Sequence, residues 1–277
     1  MAKQRLQKIL AAAGIDSRRN CEELILEGTV KVNGKTVNEL PAFADADTDV
    51  ITVAGRKLRS EKKVYFLLHK PKGIICTNKD PQGRKKAIDL IDVKERIFCV
   101  GRLDLDSSGA IILTNDTALA DKLTHPRHQM SKTYIVGLRE KVEPAGVEKL
   151  KKGIWLAEGK TSPAKVKVLR SGHNGSSLEI TITEGLNRQI RRIAARVGYK
   201  VSSLKRTQIG KLTLRGIGVG HYRALTKPEI AHLQKERKSS APQSRAKSKV
   251  MVKRSTVAKK TVKSQKKTGQ KRRTHII

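Results

Sequence analysis

The sequence is short of several things, and each shortage excludes a class of protein. It has three cysteines, Cys21, Cys76 and Cys99, with no CxxC pair. An odd, scattered set in apolar contexts excludes a disulfide scaffold and fits reduced core residues of a cytosolic protein. Aromatics make up 3% of the chain, so the core must rest on Leu, Ile, Val and Ala. No apolar run approaches the roughly 18 residues that a membrane helix needs. His125 and His128 form the only close histidine pair, and no Cys or carboxylate cluster supports them, so no metal site is expected. No glycine fingerprint for a nucleotide phosphate or a dinucleotide occurs, so no cofactor is expected either. The scarcest commodity is negative charge. There are 25 Asp+Glu against 60 Lys+Arg, for a formal net charge of +35 over 277 residues. That imbalance points to a polyanionic partner. Nucleic acid fits better than a membrane surface, because no long basic helix with a bulky apolar face is present.

What is present divides the chain into three stretches: 1–62, 63–234 and 235–277. In the first, Leu6, Ile9, Leu10 and Ala13 fall on one helical stripe, and Gly14 suits the position after the helix. Asp16 or Ser17 can cap a second helix with Cys21, Leu24 and Ile25 on one face, stopped by Gly28. Thr29–Val32, Asn33-Gly34 and Lys35–Val37 read as strand, tight turn and strand. Arg18 and Arg19 stand in the first turn of the second helix, where cations oppose the dipole. A docked phosphate would reverse that penalty; two solvated arginines are the plainer reading.

The second stretch is rich in strands, with candidates at 64–69, 73–77, 97–101, 110–114, 133–138, 164–170, 177–183 and 222–225. Helices are expected at 117–124, 143–152, 188–197 and 226–236, the last with a capping box at Thr226 and Glu229. Strands joined by short connections give an α+β class. The third stretch holds sixteen Lys or Arg and one acid, a net +15, without aromatics. It is expected to be a disordered basic tail that adds salt-sensitive affinity for nucleic acid.

Residues 101–116, GRLDLDSSGAIILTND, concentrate the chemistry. An apolar run, Ile97 to Val100, enters a polar turn with two carboxylates, and a second run, Ala110 to Leu113, leaves it. A carboxylate at a loop tip among so many cations suits a nucleophile or an electrostatic group better than a general acid. Asp104 and Asp106 are both candidates at this point. Further along, Ile190, Ile193, Ala194 and Val197 form a buried stripe on a helix capped by Asn187. Arg188, Arg192 and Arg196 share one ridge of it. Arg191 borders the stripe on its other side, which suits pairing with a carboxylate at the inner surface.

Gly101-Arg102-Leu103-Asp104, Ser107-Ser108-Gly109 and Leu113-Thr114-Asn115-Asp116 together resemble the active-site motif of ribosomal RNA pseudouridine synthases of the RsuA/RluB type. Lys132-Thr133-Tyr134 resembles the K-x-Y segment of that family, and Arg188-Gln189-Ile190-Arg191 its Q-I-R element. Leu204, in Ser203-Leu204-Lys205-Arg206, is similar to the apolar residue that supports the base pocket. Arg5-Leu6-x-Lys8-x-Leu10, Gly14, Ser17-Arg18-Arg19 and Val32-Asn33-Gly34 resemble an S4 RNA-binding domain. The resemblance covers about 3–234 and implies an S4-like αβ domain followed by a mixed, mainly antiparallel synthase sheet.

It also implies roles. Asp104 becomes the catalytic carboxylate, Tyr134 the aromatic that grips a flipped base, and Arg191 the cation beside Asp104. Arg102, Arg188, Arg192, Arg18 and Arg19 become RNA contacts. The implied reaction needs no cofactor or metal. The implied partner is structured ribosomal RNA, with the large-subunit (23S) RNA preferred from the 184–210 segment, and the protein is expected to be a cytoplasmic monomer without membrane contact. The rival readings are a catalytically inactive S4-type RNA-binding or ribosome-assembly protein and a general nucleic-acid compaction protein. Asp104, Tyr134 and Arg191 occurring together argue against the first; a motif-bearing strand domain of this length argues against the second.

Overall fold

A computed structural model describes residues 3–59 and 61–235. The tail expected at 235–277 lies outside the described residues apart from Lys235.

The N-terminal elements follow from local chemistry. Helix α1 (Leu6–Ala12) ends at Ala13, and Gly14 takes a φ of 85° just beyond it. Helix α2 (Arg18–Leu26) is capped by Ser17, whose hydroxyl accepts the Asn20 N–H at 3.1 Å. Val30–Val32 and Lys35–Val37 pair through Asn33 and Gly34, whose φ values of 51° and 82° are those of the expected turn. Leu6, Leu10, Cys21, Ile25, Val30 and Ile51 close a small core between the helices and a four-stranded sheet.

The larger part is built on a nine-stranded sheet. Its main path runs Lys165–Gly172, Gly175–Ile182, Lys132–Leu138, Val201–Ile209, Ser108–Thr114, Tyr65–Lys70 and Tyr222–Ala224; Phe98–Val100 and Leu212–Thr213 pair off this path. Neighbours are antiparallel except Val201–Ile209 against Ser108–Thr114, which is parallel. The architecture is therefore mixed, mainly antiparallel α+β.

Ser108–Thr114 has both faces covered, which explains its unbroken apolar run. Ile111 and Leu113 join Leu68, Val136, Leu178 and Ile180 under helix α5 (Gln189–Arg196). Ala110 and Ile112 join Leu67, Leu119 and Leu123 under helices α3 (Thr117–Thr124) and α6 (Lys227–Gln234). Each fully buried Leu or Ile contributes roughly 1.5–3 kcal/mol.

Two expectations need correction. Residues 73–77 form no strand; Ile75 makes a single bridge to Lys86, because Pro71 and a left-handed Gly73 turn the chain there. The nine-residue strand Val201–Ile209, near the centre of the sheet, was not among the expected strands.

Candidate active site

The site grows from the loop between Phe98–Val100 and Ser108–Thr114. Ser107 N–H donates to the Asp104 carbonyl at 3.1 Å, closing a tight turn with Leu105 and Asp106 at its exposed tip. Leu103 is buried, and its N–H meets the Cys76 sulfur at 3.5 Å. Gly73 N–H donates to the Leu105 carbonyl at 2.8 Å, so the 71–74 turn braces the loop. That turn is itself held by Lys70, fully buried, whose ammonium donates to the Pro71 and Ile74 carbonyls at 2.9 and 2.7 Å. Burial pushes the Lys70 pKa down. Past the loop, Gly109 permits the parallel pairing. A Cβ there would lie 2.1 Å from the Arg206 carbonyl oxygen, and its φ is 116°.

The Asp104 side chain, 26% exposed, reaches a cavity of about 160 Å³. Arg102, Lys132, Tyr134, Arg188, Leu204 and Arg206 also line it. Tyr134 is buried on Lys132–Leu138, where the register against Val201–Ile209 shifts between Thr133 and Tyr134. Such irregularities re-aim side chains beside a site. The Arg206 guanidinium carbon lies 6.0 Å from the centre of the Tyr134 ring, and its Nε donates to the Ala110 carbonyl at 2.6 Å. Leu204, buried beside Val136 on the adjoining strand, lines the same cavity.

The cations are distributed differently from the expectation. Arg191, only 14% exposed, does border the stripe and face the loop, but its Nη2 pairs with Asp106 at 2.8 Å rather than with Asp104. Arg188 contacts Asp104 at 3.4 Å and Asp106 at 3.6 Å. It does so because the helix starts one residue late. Arg188 is the N-cap, with a left-handed φ of 46°, and Asn187 is not. Gln189, the first helical residue, braces the preceding turn instead: its Oε1 accepts the Leu186 N–H at 3.1 Å while its Nε2 donates to Glu184. Arg188 thus leaves the ridge it was expected to share with Arg192 and Arg196. Arg192, expected to bind phosphate, donates to Glu158 at 2.8 Å. That pairing holds the Glu158 carboxyl at about 2, well below the usual range. Arg18 and Arg19 lie exposed at the start of α2 with no ion pair among the described residues, and the cavity lining does not include them.

Two site cations are not singled out by the sequence. Arg206 is 3% exposed, and its Nη2 has no partner among the described residues. Lys132 stands out there only as the first residue of the K-x-Y segment. Burial and the charge of Arg206 push its pKa down to about 8. Alternation along Val201–Ile209 would turn Leu204 and Arg206 inward together, a signal available only once that strand is recognised. Among the described residues no group of His, Cys, Asp or Glu could hold a metal ion, and no helix is long and apolar enough to cross a membrane.

Comparison with known proteins decides the family. Residues 64–196 match the RNA pseudouridylate synthase family, and residues 4–40 match the S4 domain. A Bacillus subtilis (strain 168) protein named ribosomal large subunit pseudouridine synthase B is 45% identical over 234 residues, covering 83% of this chain and 96% of the relative. The chain belongs to the RNA pseudouridine synthases. A second relative of this synthase, an Aquifex aeolicus (strain VF5) protein named uncharacterized RNA pseudouridine synthase, is 38% identical over 85% of this chain and 95% of its own. A solved structure described as a pseudouridylate synthase superposes with a TM-score of 0.61 at 31% identity, covering 83% of this chain and 99% of that one. The synthase presents one partly exposed carboxylate, a buried tyrosine and an apolar wall around a space with one buried cation, Arg206, and one partly buried, Lys132. Such an arrangement can hold a flat base taken from its stack while the carboxylate faces the sugar.

Proposed function

We propose that this synthase converts a uridine of ribosomal RNA, in the large subunit, to pseudouridine with Asp104 as its catalytic carboxylate. The observation that carries the assignment is the position of Asp104. It shares one cavity with Tyr134 and Leu204 and has the Arg188 guanidinium 3.4 Å away. In this reaction the C1′–N1 bond breaks, the base turns over, C5 bonds to C1′, and the C5 proton leaves while N1 takes up a proton. The Asp104 side chain acts at C1′. Tyr134 and Leu204 hold the uracil between a ring face and an aliphatic wall, and the Tyr134 hydroxyl assists removal of the C5 proton. Arg188 and Arg191 hold the two loop carboxylates, and Arg102 meets the RNA at the rim.

The large-subunit assignment is supported by the name of the Bacillus relative. The S4 match supports RNA phosphate contacts at Arg18 and Arg19. We place the domain limits at 1–62, 63–234 and a basic tail at 235–277, and assign the protein to the cytoplasm as a monomer.

The test is Asp104→Asn assayed by tritium release from ribosomal RNA labelled at uridine C5. Turnover is expected to fall by on the order of a thousand-fold or more, as for loss of other covalent or electrostatic catalytic groups. RNA affinity should change little, since no phosphate contact is removed. Retained turnover would end the assignment. A wild-type protein that binds the RNA without releasing tritium would favour the inactive binding module.

A further inference from the structure

Trp155 is the only tryptophan in the chain and is 70% exposed. An indole buries much apolar area when it can, so its exposure needs a reason, and a loose mount is not it. Trp155–Leu156 pairs with Gly159–Lys160 in a short hairpin, and Leu156 on the opposite face is buried. Ile154 N–H donates to the Thr161 hydroxyl and Thr161 N–H to the Ile154 carbonyl, each at 3.0 Å. Gly153 lies so close that a Cβ would stand 2.2 Å from the Thr161 carbonyl oxygen. The turn is pinned by Glu158, paired with Arg192 of α5, the helix that carries Arg191 and is capped by Arg188.

The hairpin register sets Trp155 directly opposite exposed Lys160, so both side chains leave the same face. Helix α4 (Pro144–Lys152) ends three residues before Trp155, with Lys152 exposed and Lys151 paired to Glu148 at 2.7 Å. One exposed indole opposite a lysine offers a stacking plane and a cation, whereas a protein partner buries a contiguous apolar area. A second copy of a chain carrying +35 would be repelled. RNA satisfies both features, because bases stack on aromatic faces while phosphates take the lysines.

We propose that Trp155 and Lys160 form an accessory RNA subsite, in which the indole stacks on an unpaired base outside the catalytic cavity and Lys160 meets an adjoining phosphate. This rests on the reading that the substrate is RNA.

A sole tryptophan makes its emission a report on this position alone. Full-length protein titrated at low salt with an oligouridylate of about a dozen nucleotides should show saturable quenching. A duplex RNA with the same number of phosphates should bind through charge and leave the emission nearly unchanged. Trp155→Ala should weaken oligouridylate binding about five-fold or more at unchanged Tm, and Trp155→Phe should restore most of it. Lys160→Ala should lower the salt dependence of binding. Flat emission at saturating single strand, equal quenching by duplex, or wild-type affinity in Trp155→Ala would overturn the subsite. So would emission that varies with protein concentration in the absence of RNA, which marks a self-contact. Tritium release by the wild type is followed in parallel. Turnover with flat emission removes the subsite alone, whereas absent turnover removes the proposed reaction and leaves the subsite to the titration.

Discussion

Two carboxylates two residues apart share two arginines three residues apart. Arg188 spans both acids at 3.4 and 3.6 Å, and Arg191 closes on Asp106 at 2.8 Å. Asp106 therefore takes the shorter pair, and Asp104 keeps one long contact and a face toward the cavity. Such partly exposed pairs add little stability, typically about 1 kcal/mol or less, so their consequence is position. Arg191→Ala and Asp106→Ala should each lower single-turnover tritium release by on the order of ten-fold through a misplaced loop. The double variant should be no worse than the poorer single one, since both remove the same pair. Fully additive losses would mean that the two residues act independently.

Lys132 shows the cost of putting a cation in this cavity. Its pKa falls from 10.5 to about 8 through burial and the nearby charge of Arg206. Between those values the unfolded chain holds a proton that the native state has released, so this group makes stability rise with pH across that window. Below it the buried charge is a standing cost. Lys132→Met should raise Tm at pH 7, and the gain should narrow toward pH 10. Tyr65, pushed up to about 12 by burial and its bond to Asp116, acts in the opposite sense above pH 10 and bounds the useful range. A Tm difference that is flat from pH 7 to 10 would contradict the assignment of the shift to Lys132.

Among the elements, α2 and α5 display opposite uses of a helix start. At α5 the first turn faces the catalytic loop, and Gln189 turns inward to bind Leu186 and Glu184. At α2 the cap is an ordinary serine, and Arg18 and Arg19 follow it in the open with no acid in the first turn. Their charges oppose the helix dipole, an arrangement that an RNA phosphate would correct. Arg18→Glu with Arg19→Glu should weaken binding of ribosomal RNA at low salt, with a difference that shrinks as salt rises. Thermal stability should be unchanged or slightly higher. Equal affinities at low salt would reduce the two arginines to solvated surface.

For the whole molecule, the S4-like core and the synthase core are separate clusters joined by few polar ties. Arg96 meets Asp16 at 3.1 Å, and Lys63 donates to the Ala12 carbonyl at 3.0 Å. Helix α6 closes the described fold, with Leu233 buried one residue before its end. Truncation after Gln234 should therefore leave a folded, active enzyme. It removes a net +15, so affinity for any RNA should fall about equally and its salt dependence should flatten. The modified uridine should stay the same, because phosphate contacts carry no sequence information. Modification mapping that shows a different uridine would make the tail a specificity element.

Features that depend only on neighbours in the chain are legible in the amino-acid order. Asn33-Gly34 had to turn left-handed, Asp16 or Ser17 had to cap α2, where Ser17 does so, and Thr226 with Glu229 had to start α6, because each is satisfied within a few residues. The apolar stripe of Ile190, Ile193 and Ala194 and the charge surplus are equally plain. Val201–Ile209 is not, since its polar residues acquire meaning only between Lys132–Leu138 and Ser108–Thr114. Nor is the choice of arginine for each carboxylate. Asp104 and Arg188 are 84 residues apart in the numbering and meet only through the fold. A helix that begins one residue later than its pattern suggests leaves its buried stripe in place but frees Arg188 from the ridge and turns it toward both carboxylates. The sequence by itself determined which groups were available and which segments were helix or turn. The tertiary structure alone decided which of those groups face one another, because that depends on strand register and on where a helix starts.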